Sequence, residues 1–233
     1  MTEHISKQYD QDLEAIRSRM MQMGGLVESQ IRAAMEGFLD GNLDRIEQVI
    51  ASDARVNELE IAIDDEIRHV IVRRQPAATD LRLIMAVSKT VTDLERIGDE
   101  AAKIARMARE IHSAARVKDT RIATIDHVSG IAIGMLRKSL DAFARLDAAA
   151  AARVIGEDEA IDAEFRAILR QLITFMMEDP RTITTSLHIV WVAKAFERIG
   201  DHAKNIAEQV IYIVKGRDVR HASLEEVERE ALR

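Results

Sequence analysis

Glu95 and Asp99 stand one helical turn apart, and the same pair recurs as Glu197 and Asp201. On a helix that spacing places both carboxylates on one face, where like charges repel unless a cation lies between them. Asp53 and Asp158 interrupt otherwise apolar seams, and Asn57 and Asp162 follow each of them by one turn. Burying an unpaired carboxylate costs several kcal/mol in order of magnitude, so a compensating partner or access to water is required at both places. Oxygen-rich side chains in this arrangement suit a hard ion such as Mg²⁺, Mn²⁺, Ca²⁺ or iron. The chain has no cysteine and few histidines, so structural zinc fits less well. No Gly-rich phosphate loop and no nucleophile with its base is visible, which points to a binding protein and not an enzyme.

The acids must be positioned by neighbouring helices. One segment carries the heptad stripe Ile46, Val49, Asp53, Val56, Glu60, Ile63, Ile67 and Val70; another carries Ala151, Val154, Asp158, Ile161, Phe165, Ile168, Leu172 and Phe175. Such spacing defines the seam that a helix turns toward its neighbours. If the chain folds back at Gln75, Asp53 comes level with Ile97, midway between Glu95 and Asp99, and Asn57 faces Asp93 to Glu95. A second fold at Asp179 brings Asp158 level with Gly200 and Asp162 level with Phe196. Acids from two helices therefore converge at one height in each half. Gly98 and Gly200 each cost a helix about 1 kcal/mol relative to Ala, a loss acceptable where another helix or a cluster must come close.

Composition agrees with packed helices. Aromatics make up 3% of the 233 residues, and the only prolines are Pro76 and Pro180. The lack of cysteine suits a reducing cytoplasm. A net charge of −7 disfavours nucleic acid as the main partner. The polar stretch Met1–Asp10 lacks the apolar core of a secretory signal, and the apolar run Ile189–Ala195 is too short to span a bilayer. The expectation is a soluble cytoplasmic protein, able to sit at the inner membrane through partners.

Breakers divide the chain: Gly41-Asn42, Gln75-Pro76 with Pro76 in the first turn of the next helix, Lys118-Asp119, Asp147, Asp179-Pro180 and Gly216. The two halves then match. Phe38, Val49-Ile50 and Asp53 recur at one constant offset as Phe143, Val154-Ile155 and Asp158, and Glu95-Arg96-Ile97-Gly98-Asp99 recurs as Glu197-Arg198-Ile199-Gly200-Asp201. This is a duplication. The expected fold is all-α, with two antiparallel, spectrin-like three-helix bundles over residues 1–116 and 117–216, related by an approximate two-fold. A tail helix over 217–233 opens on a Ser223/Glu226 capping box.

Two other readings remain open at this stage. A carboxylate-bridged di-metal oxidase needs paired Glu-x-x-His motifs, and only Glu66–His69 has that spacing. A metal-free helical scaffold is the other reading, with Arg96 and Arg198 simply neutralising the acids. His202 is a ligand candidate or a surface histidine. Met20, Met21, Met23, Met176 and Met177 read as core filling, and Arg73-Arg74 as a helix end.

Arg74-Gln75-Pro76 through Asp80-Leu81-Arg82, then Asp93-Leu94-Glu95-Arg96-Ile97-Gly98-Asp99, resembles the PhoU family of phosphate-transport accessory proteins. The run from Phe196 to Glu208 does so too, and the likeness spans roughly residues 3–216. The resemblance implies a cytoplasmic negative regulator of the phosphate-starvation response. It would connect the ATPase subunit of a phosphate transporter with a sensor histidine kinase, and would commonly be a homodimer. It also implies Mg, Mn, Fe or Zn at the acidic motifs. Carried over by position, the ligands would be Asp53, Glu95 and Asp99, then Asp158, Asp162, Glu197 and Asp201. Asn57 stands where Asp162 does, so the first site is expected to bind more weakly.

Overall fold

Asn42 begins the first hairpin. Its side chain accepts from the Arg45 amide at 3.1 Å, while Gly41 turns through φ +68° to release the preceding helix. The computed structural model describes residues 7–114 and 124–233; Met1 to Ser6 and the expected break at Lys118-Asp119 lie outside them. α1 (Lys7–Asp40), α2 (Leu43–Arg74) and α3 (Ala78–Ala114) form the first bundle, and α4 (Thr124–Arg145) opens the second. Arg74, at the α2–α3 turn, donates to Asp12 on α1 at 2.9 Å, so this arginine ties two helices together. Pro76 lies in the link, ahead of α3. Gln75 and Ala78 take the left-handed turns there, so the helix starts later than Pro76 implies.

The second bundle departs from a simple copy. Its middle helix is broken into α5 (Ala148–Gly156) and α6 (Asp158–Glu178). The Glu157 amide reaches back to the Val154 carbonyl at 3.1 Å, a tightened turn, and Lys138 holds the Glu157 carboxylate at 2.7 Å. Gly156 weakens the helix here, while Asp158 and Glu159 favour a new N-terminus electrostatically. Pro180–Thr182 forms a single 3₁₀ turn, and α7 (Ile183–Lys215) completes the bundle, ending at Gly216 with φ +71°. The Ser223/Glu226 capping box is formed and starts α8 (Leu224–Leu232), which packs on α5 through buried Val227 and Ala231.

One connected core runs through both bundles, with Phe38, Phe143 and Phe196 fully buried. The bundles meet through equivalent helices, α3 with α7 and α1 with α4, as an approximate two-fold requires. α3 and α7 cross antiparallel. Lys89 sits over Tyr212, Asp93 meets His202 and Asn205, Glu100 meets Arg198, and Lys103 sits over Trp191. The two copies of Glu-Arg-Ile-Gly-Asp therefore lie near the middle of this crossing, with Ile97 and Ile199 sealed in it. Met20 and Met23 are buried as expected, but Met177 is 81% exposed at the α6 end, where no helix covers it.

Candidate metal centre

Each motif helix has two working faces. Ile97 and Ile199 point into the inter-bundle seam, while the acids on either side turn toward the middle helix of their own bundle. Gly98 makes the first approach possible, since a Cβ there would lie 3.2 Å from Val56 Cγ1; at Gly200 it would lie 2.9 Å from Ile161 Cδ1. Val56 and Ile161 follow Asp53 and Asp158 by less than one turn on the same seams, so the close packing sets the level of the acids.

In the first cleft, burial and then the nearby Asp99 push the Asp53 carboxyl up, with Arg106 opposing. Glu95 is raised by burial and by Asp99, again partly offset by Arg96. Asp53 Oδ1 and Asn57 Oδ1 are buried with no hydrogen-bond partner among the described residues. Of the residues that the hairpin count brought together, Asp53, Glu95 and Asp99 lie close enough to act on one another electrostatically, and Asn57 follows Asp53 by one turn. Glu60 joins them: burial first, then Glu95 and Asp64, raise its carboxyl. The sign of this was already in the heptad stripe, where Glu60 is the second acid in an apolar row.

The second cleft gathers Asp158, Asp162, Glu197 and Asp201. Burial, then Glu197 and Asp158, raise Asp201, and Lys194 opposes them. Asp158 Oδ1 and Glu197 Oε2 are buried without a hydrogen-bond partner among the described residues. Lysines answer the other oxygens: Lys204 Nζ lies 2.5 Å from Asp158 Oδ2, and Lys194 Nζ lies 2.6 Å from Glu197 Oε1. Burial is the largest single influence on the Lys204 ammonium and pulls it down, but the hydrogen bond to Asp158 and the charges of Asp158, Glu208 and Asp201 together raise it. Among the described residues, no three His, Cys, Asp or Glu side chains form a ready-made metal cage. The donor chemistry nevertheless fits a hard cation. Carboxylates that repel one another, and orphaned buried oxygens, are what such an ion would satisfy.

The remaining candidates fall elsewhere. His202 turns into the inter-bundle seam, where its Nδ1 lies 2.9 Å from Asp93 Oδ1. Glu66 pairs with Arg19 at 2.5 Å, and His69 Nδ1 lies 2.7 Å from the Asp65 carbonyl of its own helix. The Glu66–His69 motif thus enters neither cleft.

The PhoU domain family matches the chain twice, over residues 20–108 and 125–210. The chain belongs to the PhoU family. The two matches coincide with the two bundles and contain every clefted acid named above. Over 230 residues the chain is 45% identical to the phosphate-specific transport system accessory protein PhoU homolog of Pseudomonas aeruginosa, covering 99% of this chain and 95% of that one. It is 43% identical to the phosphate-specific transport system accessory protein PhoU of Escherichia coli K12, covering 98% and 94%. The crystal structure of PhoU from Pseudomonas aeruginosa superposes with a TM-score of 0.86 at 44% identity, over 90% of this chain and 100% of that one. The phosphate transport system regulatory protein PhoU of Streptococcus pneumoniae, at 24% identity and a TM-score of 0.83 over 91% and 99%, shares the fold. These PhoU relatives carry accessory and regulatory names and not those of enzymes.

Within this PhoU chain the two clefts are chemically unequal. Where the second has Lys194 and Lys204, the first has Thr92 and Ala102; where the first has Glu60, the second has Phe165, with Lys194 over its ring at 5.3 Å. Asn57 removes one charge from the first cleft, but Glu60 returns one, and no lysine fills it.

Proposed function

We propose that this chain is a cytoplasmic, phosphate-related accessory regulator that couples the ATPase subunit of a phosphate transporter to a sensor histidine kinase. In phosphate plenty it holds the kinase inactive and so represses the starvation response. The observation that carries this reading is the end-to-end likeness to proteins named phosphate-specific transport system accessory proteins, both bundles included. Two features of the surface support it. No helix among the described residues is long and apolar enough to cross a membrane, so contact with membrane components would run through partners. Each bundle also presents an exposed apolar stripe at equivalent positions near a hairpin tip, Leu81 and Met85 on α3, and Ile183, Leu187 and Trp191 on α7. The antiparallel crossing sends the two tips to opposite ends of the molecule, an arrangement suited to bridging two partners.

The acidic clefts complete the reading. Asp53, Asn57, Glu95 and Asp99, and likewise Asp158, Asp162, Glu197 and Asp201, would hold Mg, Mn, Fe or Zn, which would pin the middle helix to the motif helix of each bundle. The bound ion would supply positive charge where carboxylates now repel. A homodimer would double the number of partner surfaces.

Deleting the gene should switch on phosphate-starvation genes in phosphate-rich medium, and affinity capture should retain the transporter ATPase and the kinase. Normal repression in the deletion strain, together with capture of neither partner, would remove the proposal. Metal analysis of protein purified without chelator tests the clefts, and sedimentation tests the dimer.

A further inference from the structure

Lys204 stands between two carboxylates. Its ammonium donates to Asp158 Oδ2 at 2.5 Å, and one turn further along α7 lies Glu208, which is 6% exposed. Glu208 makes no hydrogen bond or close ion pair among the described residues, although Lys204, Asp218 and Arg220 all act on it electrostatically. Both carboxylates open on one cavity of about 380 Å³, lined also by Asp162, Arg220 and Leu224. The break between α5 and α6 forms one wall. The tail closes the other, anchored by buried Val219 and Val227 and by Arg217 on Glu230 at 2.9 Å.

We propose that Lys204 is a resident counter-cation of the second cleft, that a divalent ion must displace it to bind there, and that its move toward Glu208 reports occupancy to the C-terminal tail. This rests on the metal reading given above and adds an order and a consequence to it. A divalent ion on Asp158 Oδ1 would lie a few ångströms from an ammonium on Oδ2, and the repulsion between the two cations drives the lysine away. Of the α7 carboxylates within a helical turn of the displaced lysine, Asp201 would be taken by the ion, which leaves Glu208. Glu208 is buried, lacks a donor, and shares a cavity large enough for the side chain to swing through. Burial holds its carboxyl up to about 7, so an arriving ammonium meets a group ready to ionise. Arg220 and Asp218, paired at 2.6 Å on the tail, then feel a changed field beneath them. The first cleft has Ala102 at the equivalent place and no lysine to displace; Arg96, 3.5 Å from Glu95, and Arg106 hold its acids less closely, so it fills first.

Manganese titration of the full chain by calorimetry, with hydrogen exchange over residues 217–232, tests this. Wild type should bind Mn²⁺ in two steps, the tighter lost in Asp99→Asn and the weaker in Asp201→Asn. Lys204→Met should strengthen the weaker step about tenfold, equivalent to ~1.4 kcal/mol, while Lys204→Arg should not. Tail exchange should change with the second step in wild type and stay unchanged in Lys204→Met. Two steps indifferent to Lys204, or tail exchange that ignores the second step, would overturn this proposal alone. Absence of binding in wild type and all variants would overturn the metal reading together with it.

Discussion

Arg198 leaves its own bundle and places Nη1 2.7 Å from Glu100 Oε1, whereas its repeat-mate Arg96 stays beside Glu95 at 3.5 Å. Glu100 is 4% exposed, and Arg198 and Lys103 together neutralise it at the inter-bundle seam. Arg198→Ala should therefore cost about 1–3 kcal/mol, the partial exposure of the arginine lowering the figure expected for a sealed pair. Arg96→Ala should stay within about 0.5 kcal/mol. Urea denaturation of both variants measures the contrast, and equal losses would mean that the seam does not depend on this contact.

Gly200→Ala sets helix propensity against packing. Alanine gains about 1 kcal/mol in a helix interior, but its Cβ would press on Ile161 Cδ1 and Cγ2, both on a fully buried, β-branched side chain. Overpacking of this kind costs roughly 1–3 kcal/mol, so a net loss is expected. Adding Ile161→Val should recover part of it. Thermal unfolding of the double-mutant cycle checks the coupling. Gly98→Ala, facing Val56 at 3.2 Å, should be milder.

Glu208 gives stability a pH dependence. Burial raises its folded value to about 7, so the fold favours the protonated form. Its contribution is complete below the ordinary glutamate value near 4.5 and fades as pH rises through about 7, because the unfolded chain ionises freely while the native one resists. Glu208→Gln should therefore match wild type at pH 4 and exceed it by about 1–2 kcal/mol at pH 8. Denaturant midpoints across that range provide the measurement.

The first cleft should be destabilising without metal. Asp53, Glu60 and Glu95 are all raised by burial and mutual repulsion, so their strain appears as pH climbs through the carboxylate range. Asp53→Asn should then stabilise metal-free protein at pH 7 by a few tenths of a kcal/mol, screened by solvent. On the metal reading, Mn²⁺ should raise the melting temperature of wild type, and the same change should reduce that rise by the share due to the first cleft. A variant less stable than wild type in chelator would contradict the electrostatic account.

The duplication, the helix boundaries at Gly41, Gln75 and Gly216, and the level at which Asp53 meets Glu95 and Asp99 were all readable from spacing. Helical rise is uniform, so counting residues from a hairpin turn gives height. The break before Asp158 was not readable in this way. A heptad stripe continues in register across a single tightened turn, and only the Glu157–Lys138 contact and the cover from α8 reveal it. Glu60 was legible as a second acid in an apolar row, with Asp64 one turn further on, but its approach to Glu95 across the hairpin was not.

Local sequence by itself determined that this protein is helical, duplicated and acid-lined, because periodicity and capping act over one or two turns. Only the tertiary structure decided which side chains answer those acids. Arg198 serves Glu100 and not its neighbour Glu197, and His202 serves Asp93 in the other bundle. Lys204 serves Asp158 from the facing helix. Long side chains choose partners by distance across packed helices, and that distance is fixed by the crossing of α3 on α7 and by the broken helix facing it.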